Sequence, residues 1–412
     1  MNKRLYKLCI VSALSLALSA CSASGHPRQN KTLSLSQQHE KWKVFDGNIS
    51  GQKISSDLVT EYAQSIFNEG NPLGMAIVVI DNNQVIHRSF GETYPGSGVK
   101  PNQNSLIRIA SLTKLMTSEV MIKLADQKRI KITDPLQKYS YNGVHVPGLG
   151  ANQPIRLFHL ASHTSGLPRE QPGGKWGRPV FIWPTQSNRW NWLKTAEVNS
   201  VPGTVASYSN LAYDLLADAL SNATGEPYSR LLQEEITRPY NMKDTTLAPT
   251  RAQCERLMAG ANSSPCLSTI AAAGSGGIYS TPADMQRWMQ QFLSSDSQLR
   301  KQTASREQGI YFKRADLSSV KGMDVAGKAD GIGLGWVYMK GQNGIGIYQK
   351  TGGGGGFNTY MAMIPEQNIG VFMVMTRKEH SKFYEVTKGV NELVTALAQN
   401  HYSVVPELVK NN

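Results

Sequence analysis

At 412 residues and 40% hydrophobic content, the chain can bury a full core in one large domain or two smaller ones. Its formal net charge of +13 is spread along the sequence rather than gathered into a stripe, and no nucleic-acid-binding module is visible. This sets nucleic acid aside as a partner and leaves a mildly basic surface, or attraction to an anionic polymer or membrane.

Lys3, Arg4 and Lys7 precede an apolar run from Leu8 to Ala20, too short for a stable membrane span and patterned as a secretory signal, so 1–20 is expected to lie outside the fold. The run ends in Leu18-Ser19-Ala20-Cys21, which resembles a bacterial lipobox and implies lipidation of Cys21. Ser22 in place of an aspartate points, by resemblance to sorted lipoproteins, to the outer membrane of the periplasm. Residues 21–51 are polar and suit a tether, followed by a catalytic domain over 52–412. Cys9 falls in the signal and Cys21 in the lipobox, which leaves Cys254 and Cys266. In an exported protein that pair reads as a disulfide contributing ~2–3 kcal/mol, and with no histidines nearby it is not a zinc set.

Asp57 to Phe67 has helical periodicity. Met75 to Ile80, a turn at Asp81-Asn82-Asn83 and Val85 to Phe90 predict a β-hairpin. Arg108-Ile109-Ala110-Ser111-Leu112-Thr113-Lys114 then opens a stretch in which Leu112, Leu115, Met116, Val120, Met121 and Leu124 recur at helical spacing, so Ser111 is expected at the start of a buried helix with Lys114 one turn on. Ser-x-x-Lys also occurs at Ser50/Lys53, Ser97/Lys100 and Ser318/Lys321, so the bare pattern is mostly chance; the long helical run singles out Ser111. There, a lysine on the same helix face can take the hydroxyl proton, and the helix N-terminus favours an oxyanion and disfavours an ammonium.

His159 and His163 have the spacing of a metal pair but lack the intervening glutamate of a metalloprotease helix. They read as structural, with His163 and Ser165 bonding locally where that helix ends. Residues 169–192, rich in Pro, Gly and Trp, suit an ordered loop at the substrate cleft. Tyr208-Ser209-Asn210 enters a helix over Leu211 to Ser221: a cap with a packed tyrosine on the plain reading, a proton-passing phenol and a substrate-orienting amide on the functional one. A further helix runs from Tyr228 to Ile236, and another starts at Thr281-Pro282-Ala283-Asp284 with proline in its first turn. Strands follow at Gly335–Lys340, Gly346–Lys350, Phe357–Ile364 and Ile369–Met375, and Glu379 to Asn400 closes the chain as a helix.

Lys350-Thr351-Gly352 ends a predicted strand and runs on through Gly356. Lysine before the glycines is the wrong order for a phosphate loop; the run suits a strand edge that a peptide-like substrate can approach. The Gly353 N–H would join that of Ser111 as an oxyanion hole, with Lys350 facing a substrate carboxylate.

Together the three motifs supply nucleophile and base, proton relay, and oxyanion site with anchor. With His163-Thr164-Ser165-Gly166-Leu167-Pro168 and Ser280-Thr281-Pro282-Ala283-Asp284, they resemble the serine β-lactamase-like penicillin-binding proteins of the class C group, over nearly all of the chain after about residue 55. The resemblance implies an α/β (α+β) fold of the β-lactamase/transpeptidase type: an antiparallel sheet from N- and C-terminal segments (about 52–110 and 270–412), flanked by helices, with an inserted helical region (about 111–269). It implies a serine DD-carboxypeptidase/endopeptidase acting on peptidoglycan muropeptides, with β-lactams as covalent inhibitors and neither metal nor cofactor. Ser111 would be the acylated nucleophile. Lys114 and Tyr208 would share the acid and base work, Asn210 would orient substrate, and Lys350, Thr351 and Gly352 would bind its carboxylate end. The five glycines Gly352–Gly356 depart from the class C β-lactamases, where a serine or alanine follows a single glycine, and argue against efficient β-lactam hydrolysis. A class C-like β-lactamase or esterase of the same fold and a catalytically silent peptidoglycan-binding lipoprotein are the alternatives.

Overall fold

Met75–Ile80 and Ile369–Met375 are apolar at nearly every position instead of alternating, the pattern of strands covered on both faces. The computed structural model has that arrangement. It describes residues 48–149, 153–172, 179–182, 184–293, 298–341 and 344–404, so the expected signal, the lipobox Cys21 and the tether up to residue 47 lie outside the described residues.

Helix α1 (Asn48–Gly70) begins inside the range expected for the tether. The hairpin β1 (Gly74–Asp81) and β2 (Gln84–Gly91) leads to α2 (Thr113–Asp126) through a 3-10 turn at Ala110–Leu112. Helices α3 (Leu157–Ala161), α4 (Gln186–Leu193), α5 (Asn210–Thr224), α6 (Pro282–Leu293) and α7 (Gln298–Gln308) follow. Between the last two of these and the closing helix run β3 (Phe312–Lys313), β4 (Gly331–Ile332), β5 (Val337–Lys340), β6 (Gly346–Gly354), β7 (Phe357–Ile364) and β8 (Ile369–Thr376). Helix α8 (Phe383–Val404) ends the described chain.

The eight strands form one antiparallel sheet in the order β2-β1-β8-β7-β6-β5-β4-β3, drawn from both ends of the sequence as expected. Met75, Ile77 and Val79 pack with Met373 and Met375 against Val59 and Ile66 of α1 and Val390, Leu393 and Leu397 of α8. Ala76, Val78 and Ile80 face the opposite way with Phe372 and Val374, into a larger core with Leu115, Met116 and Val120 of α2 and Leu215 and Leu216 of α5. Helix α2 is therefore buried nearly all round, which fixes Ser111 and Lys114 against the sheet.

Several local expectations need correction. The strand expected from Gly335 starts at Val337, because Gly335 is held at φ +81° with its N–H donated to the Ala161 carbonyl. The strand expected to end at Lys350 continues through Gly354, since the glycines pair with Phe357–Thr359 across a tight turn. The helix expected over 228–236 is α-helical at Tyr228–Leu232 and passes into a wider π turn over Gln233–Thr237. The closing helix starts at Phe383, after Ser381 Oγ accepts the Lys378 N–H in a turn. The 169–192 loop contains α4, and α7 was not foreseen.

Candidate active site

Ser111 sits in the 3-10 turn that precedes α2, next to Ala110 at φ +47°, a conformation that costs a non-glycine residue and marks sites held by their surroundings. Here the hold is visible: Thr359 Oγ1 donates to the Ile109 carbonyl at 2.9 Å, and the Ile109 N–H donates to Ile278 O at 3.1 Å. Gly352 lies directly on this turn. A methyl there would come 2.3 Å from Thr359 Oγ1, 2.9 Å from Ile109 O and 3.0 Å from the Ser111 nitrogen, so only glycine lets β6 approach the serine this closely.

Ser111 Oγ receives two hydrogen bonds, from the Tyr208 hydroxyl at 2.6 Å and from Lys114 Nζ at 3.3 Å. The lysine also donates to Asn210 Oδ1 at 2.7 Å and to the Ser275 carbonyl at 2.6 Å. Lys114 is fully buried, and none of these three acceptors carries a formal charge. Burial lowers its pKa to about 7, against the opposing pull of the more distant Asp214 and Glu170 carboxylates. A neutral amine is thus accessible near neutral pH.

Asn210 opens α5, where Ser209 is the N-cap: its Oγ accepts the Ala212 N–H at 2.9 Å and donates to Pro168 O at 2.7 Å. The cap and the functional reading of Tyr208-Ser209-Asn210 therefore coexist, with Ser209 doing the capping. Asn210 Nδ2 donates to Glu170 Oε1, and the Asn210 N–H donates to Arg169 O, so the loop after Pro168 braces the amide.

The Tyr208 ring is a meeting point. His163 stacks on it with centroids 4.5 Å apart, and Lys114 Nζ, Lys350 Nζ and Arg169 Cζ each lie 4.8 Å from its centroid. Lys350, on β6 and buried, has its pKa lowered by burial to about 8, with Lys114 and Arg169 also pushing it down and Tyr208 opposing. Past Gln349, which pairs with Val337, β6 keeps only β7 as a partner among the described residues. Residues Lys350–Gly354 are thus an open edge beside Ser111, carrying Thr351 and Gly353 with them.

The two histidines do not form the helical pair that their spacing allowed. Helix α3 stops at Ala161, and His163 turns to φ +60°. His159 Nδ1 accepts the Arg156 N–H, and burial lowers its pKa to about 4. The His163 N–H donates locally to Leu160 O at 3.4 Å, while its ring Nδ1 accepts the N–H of Ser209, 46 residues on. Burial, and then the cations Lys350, Lys114 and Arg169, hold His163 neutral. Ser165 does bond locally, through Leu167 N–H. Cys254 and Cys266 are joined as a disulfide, their Cα atoms 5.8 Å apart.

Sequence reasoning missed four contributors. Ser275 contributes a backbone carbonyl, for which no side-chain pattern exists. Arg169 and Glu170 follow directly on His163–Pro168 in the loop expected at the cleft, but no residue pattern marks either one. Phe181, at φ +72°, packs so closely on Gly276 and Gly354 that a methyl at either would come within 2.6 Å of its ring. The glycines flanking the cleft were the available signal for that aromatic.

The Beta-lactamase family model matches residues 57–395. The D-alanyl-D-alanine-carboxypeptidase/endopeptidase AmpH of Escherichia coli (strain K12) is 56% identical over 360 residues, covering 87% of this chain and 93% of the relative. The crystal structure of a beta-lactamase/D-alanine carboxypeptidase from Yersinia pestis, complexed with citrate, superposes with a TM-score of 0.82 at 63% identity, over 84% of this chain and 99% of that one. A class C beta lactamase from Rhodobacter sphaeroides shares the fold at 17% identity, with a TM-score of 0.66 over 83% of this chain and all of that one.

Proposed function

The chain belongs to the beta-lactamase family, and on that premise we propose that it is a serine DD-carboxypeptidase/endopeptidase acting on D-alanine-containing peptidoglycan stem peptides and cross-links. The observation that carries the reading is the convergence on one hydroxyl: Ser111 Oγ takes hydrogen bonds from both Lys114 and Tyr208 beside an open strand edge. A peptide can pair with that edge by β-augmentation, which a small-ester pocket does not require. The 56% identity to a relative named for this activity supports the same choice.

In the proposed mechanism the substrate carbonyl lies between Ser111 and β6. Ser111 Oγ attacks the carbonyl carbon as its proton passes to the Lys114–Tyr208 pair, and the N–H groups of Ser111 and Gly353 receive the oxyanion. Collapse breaks the amide bond. The departing amine, free D-alanine or the cross-linking residue, takes the proton back and leaves an ester on Ser111 that water hydrolyses by the reverse relay. Asn210 orients the substrate amide, while Lys350 and Thr351 receive the carboxylate end. A β-lactam presents a strained amide to the same hydroxyl and acylates it.

We place the enzyme in the periplasm, tethered to the outer membrane through lipidated Cys21; the Leu18–Cys21 lipobox pattern supports this. Labelling with a fluorescent penicillin tests the site: wild type should label and Ser111→Ala should not, and equal labelling removes the serine from the mechanism. Turnover of purified muropeptides should exceed that of nitrocefin and nitrophenyl esters; the reverse preference assigns the fold to β-lactam or ester hydrolysis instead. Globomycin-sensitive processing and detergent-phase partitioning check the anchor, and a Cys21→Ser protein that still fractionates with membranes overturns it.

A further inference from the structure

Lys114 reaches Ser275 at the carbonyl, and Ser275 is gripped from its other side. Asp214, one turn into α5, accepts both the Ser275 N–H and the Ser275 hydroxyl, each at 3.0 Å. The residue whose carbonyl receives the amine is thus clamped by a carboxylate through two bonds, one from the peptide N–H that precedes its Cα and one from its side chain. Asp214 is itself buried, and it is a charge that the acylation scheme above does not use.

We propose that Asp214 is a positioning residue for Lys114: acting through Ser275, it aims the carbonyl at the amine and supplies the negative charge against which the amine holds its proton. The inference rests on the reading of Ser111 as nucleophile with Lys114 in its base. It goes beyond the three motifs, none of which contains either Asp214 or Ser275.

The groups facing Asp214 come from every element around it. Asp218 lies one turn on along α5, Arg189 reaches in from α4, Lys114 from α2 and the Tyr228 phenol from the short helix at Tyr228–Leu232. Burial raises the Asp214 pKa to about 6, against the pull of Arg189, Ser275 and Lys114. Asp214 also borders a surface cavity of about 820 Å³ with Ala217, Asp218 and Gly274, and Ser111, Lys114 and Tyr208 do not line it. The carboxyl can therefore exchange its proton without passing through the cleft.

The sign of the effect follows from charge. Ionised Asp214 favours the ammonium form of Lys114, so the amine keeps its proton to higher pH than it would alone. Neutral asparagine in its place can still accept the Ser275 N–H, but the charge is gone. The second-order rate of Ser111 acylation by a fluorescent penicillin should rise with pH in wild type as Lys114 loses its proton. In Asp214→Asn that rise should move to lower pH by roughly one unit. Ser275→Ala removes the hydroxyl and keeps the carbonyl, the N–H and the Asp214 charge, so it should lower the plateau while leaving the rise within about 0.3 unit of wild type. A rise at the same pH in a folded Asp214→Asn protein overturns the inference.

Should Asp214→Asn fail to fold, the reciprocal measurement decides. With 13C-labelled aspartate, the Asp214 carboxyl resonance, assigned through the Ser275 amide, should titrate at higher pH in Lys114→Gln than in wild type, because linkage between two sites is mutual. An unmoved midpoint overturns the proposal. If wild type fails to acylate at any pH, the reading of Ser111 fails, and the carboxyl titration still decides whether Asp214 and Lys114 act on each other.

Discussion

Arg189 and Lys114 are both withdrawn from water, and burial has opposite outcomes for them. Arg189 meets Asp218 bidentately, through Nε at 3.0 Å and Nη2 at 2.9 Å, and gives Nη1 to the carbonyls of Pro184 and Ala271. Burial works against its charge, but the Asp218 and Asp214 carboxylates outweigh that cost and its pKa rises. Lys114 meets only a hydroxyl, an amide oxygen and a peptide carbonyl, so burial prevails and its pKa falls to about 7. A buried cation in contact with a carboxylate keeps its proton and serves the fold; one surrounded by neutral acceptors can lose its proton and serve chemistry. Within α2, Lys123 pairs with Glu119 at 3.1 Å a little over two turns beyond Lys114.

The comparison can be broken most directly at Lys114. Lys114→Met should lower penicillin acylation and muropeptide turnover by roughly 10³–10⁴-fold. The melting temperature should stay within roughly 3 °C of wild type, because losing the buried amine offsets the acceptors it leaves unpaired. A protein that unfolds with the substitution would make Lys114 a structural cation like the other. Arg189→Met should show the converse pattern: a loss of ~3–5 kcal/mol in urea denaturation from the stranded Asp218 charge, with acylation per folded molecule changed far less. Next in size, Gly352→Ala tests how closely the cleft is built. Displacing Ser111 from β6 should slow acylation by roughly 10²-fold, and a rate within about threefold of wild type would mean the turn at Ala110–Leu112 can yield.

Strand runs were legible because Met75–Ile80, Phe357–Ile364 and Ile369–Met375 are apolar on two covered faces. Helix α7 was not, since its sequence QLRKQTASREQ is polar apart from one leucine and one alanine, and no apolar stripe announces it. Within the site, Ser111, Lys114, Tyr208, Asn210 and Lys350 were legible because each contributes a side chain at a fixed motif spacing. Ser275 contributes only its backbone to Lys114. Asp214 reads in sequence like any acidic residue on a helix, and its burial is decided by the segment around Ala271–Ile278 folding over α5. The glycine run was read as one device for backbone approach. Gly352 does serve the Ser111 turn, but Gly354 makes room for Phe181, a partner far along the chain that the glycines signal without naming.

The smallest effect isolates the electrostatic half of the comparison from the catalytic half. In the unfolded chain Lys114 keeps its proton until pH rises past the ordinary lysine value of 10.5, whereas in the folded protein it loses the proton as pH passes about 7. Between those values the unfolded state binds more protons, so wild-type stability rises with pH through this group, the burial penalty on the ammonium being relieved as it deprotonates. Lys114→Met has no such contribution, and its loss of the ammonium raises the Asp214 titration, which lowers that variant's stability as pH rises and widens the gap in the same direction. Measured by urea denaturation, the stability of wild type relative to Lys114→Met should therefore increase by about 1 kcal/mol from pH 7 to pH 8. A constant gap between wild type and Lys114→Met would mean that the amine remains an ammonium in its pocket. The first proton from Ser111 would then have to go to Tyr208 in its phenolate form, because the neutral phenol is already the donor to Ser111 Oγ.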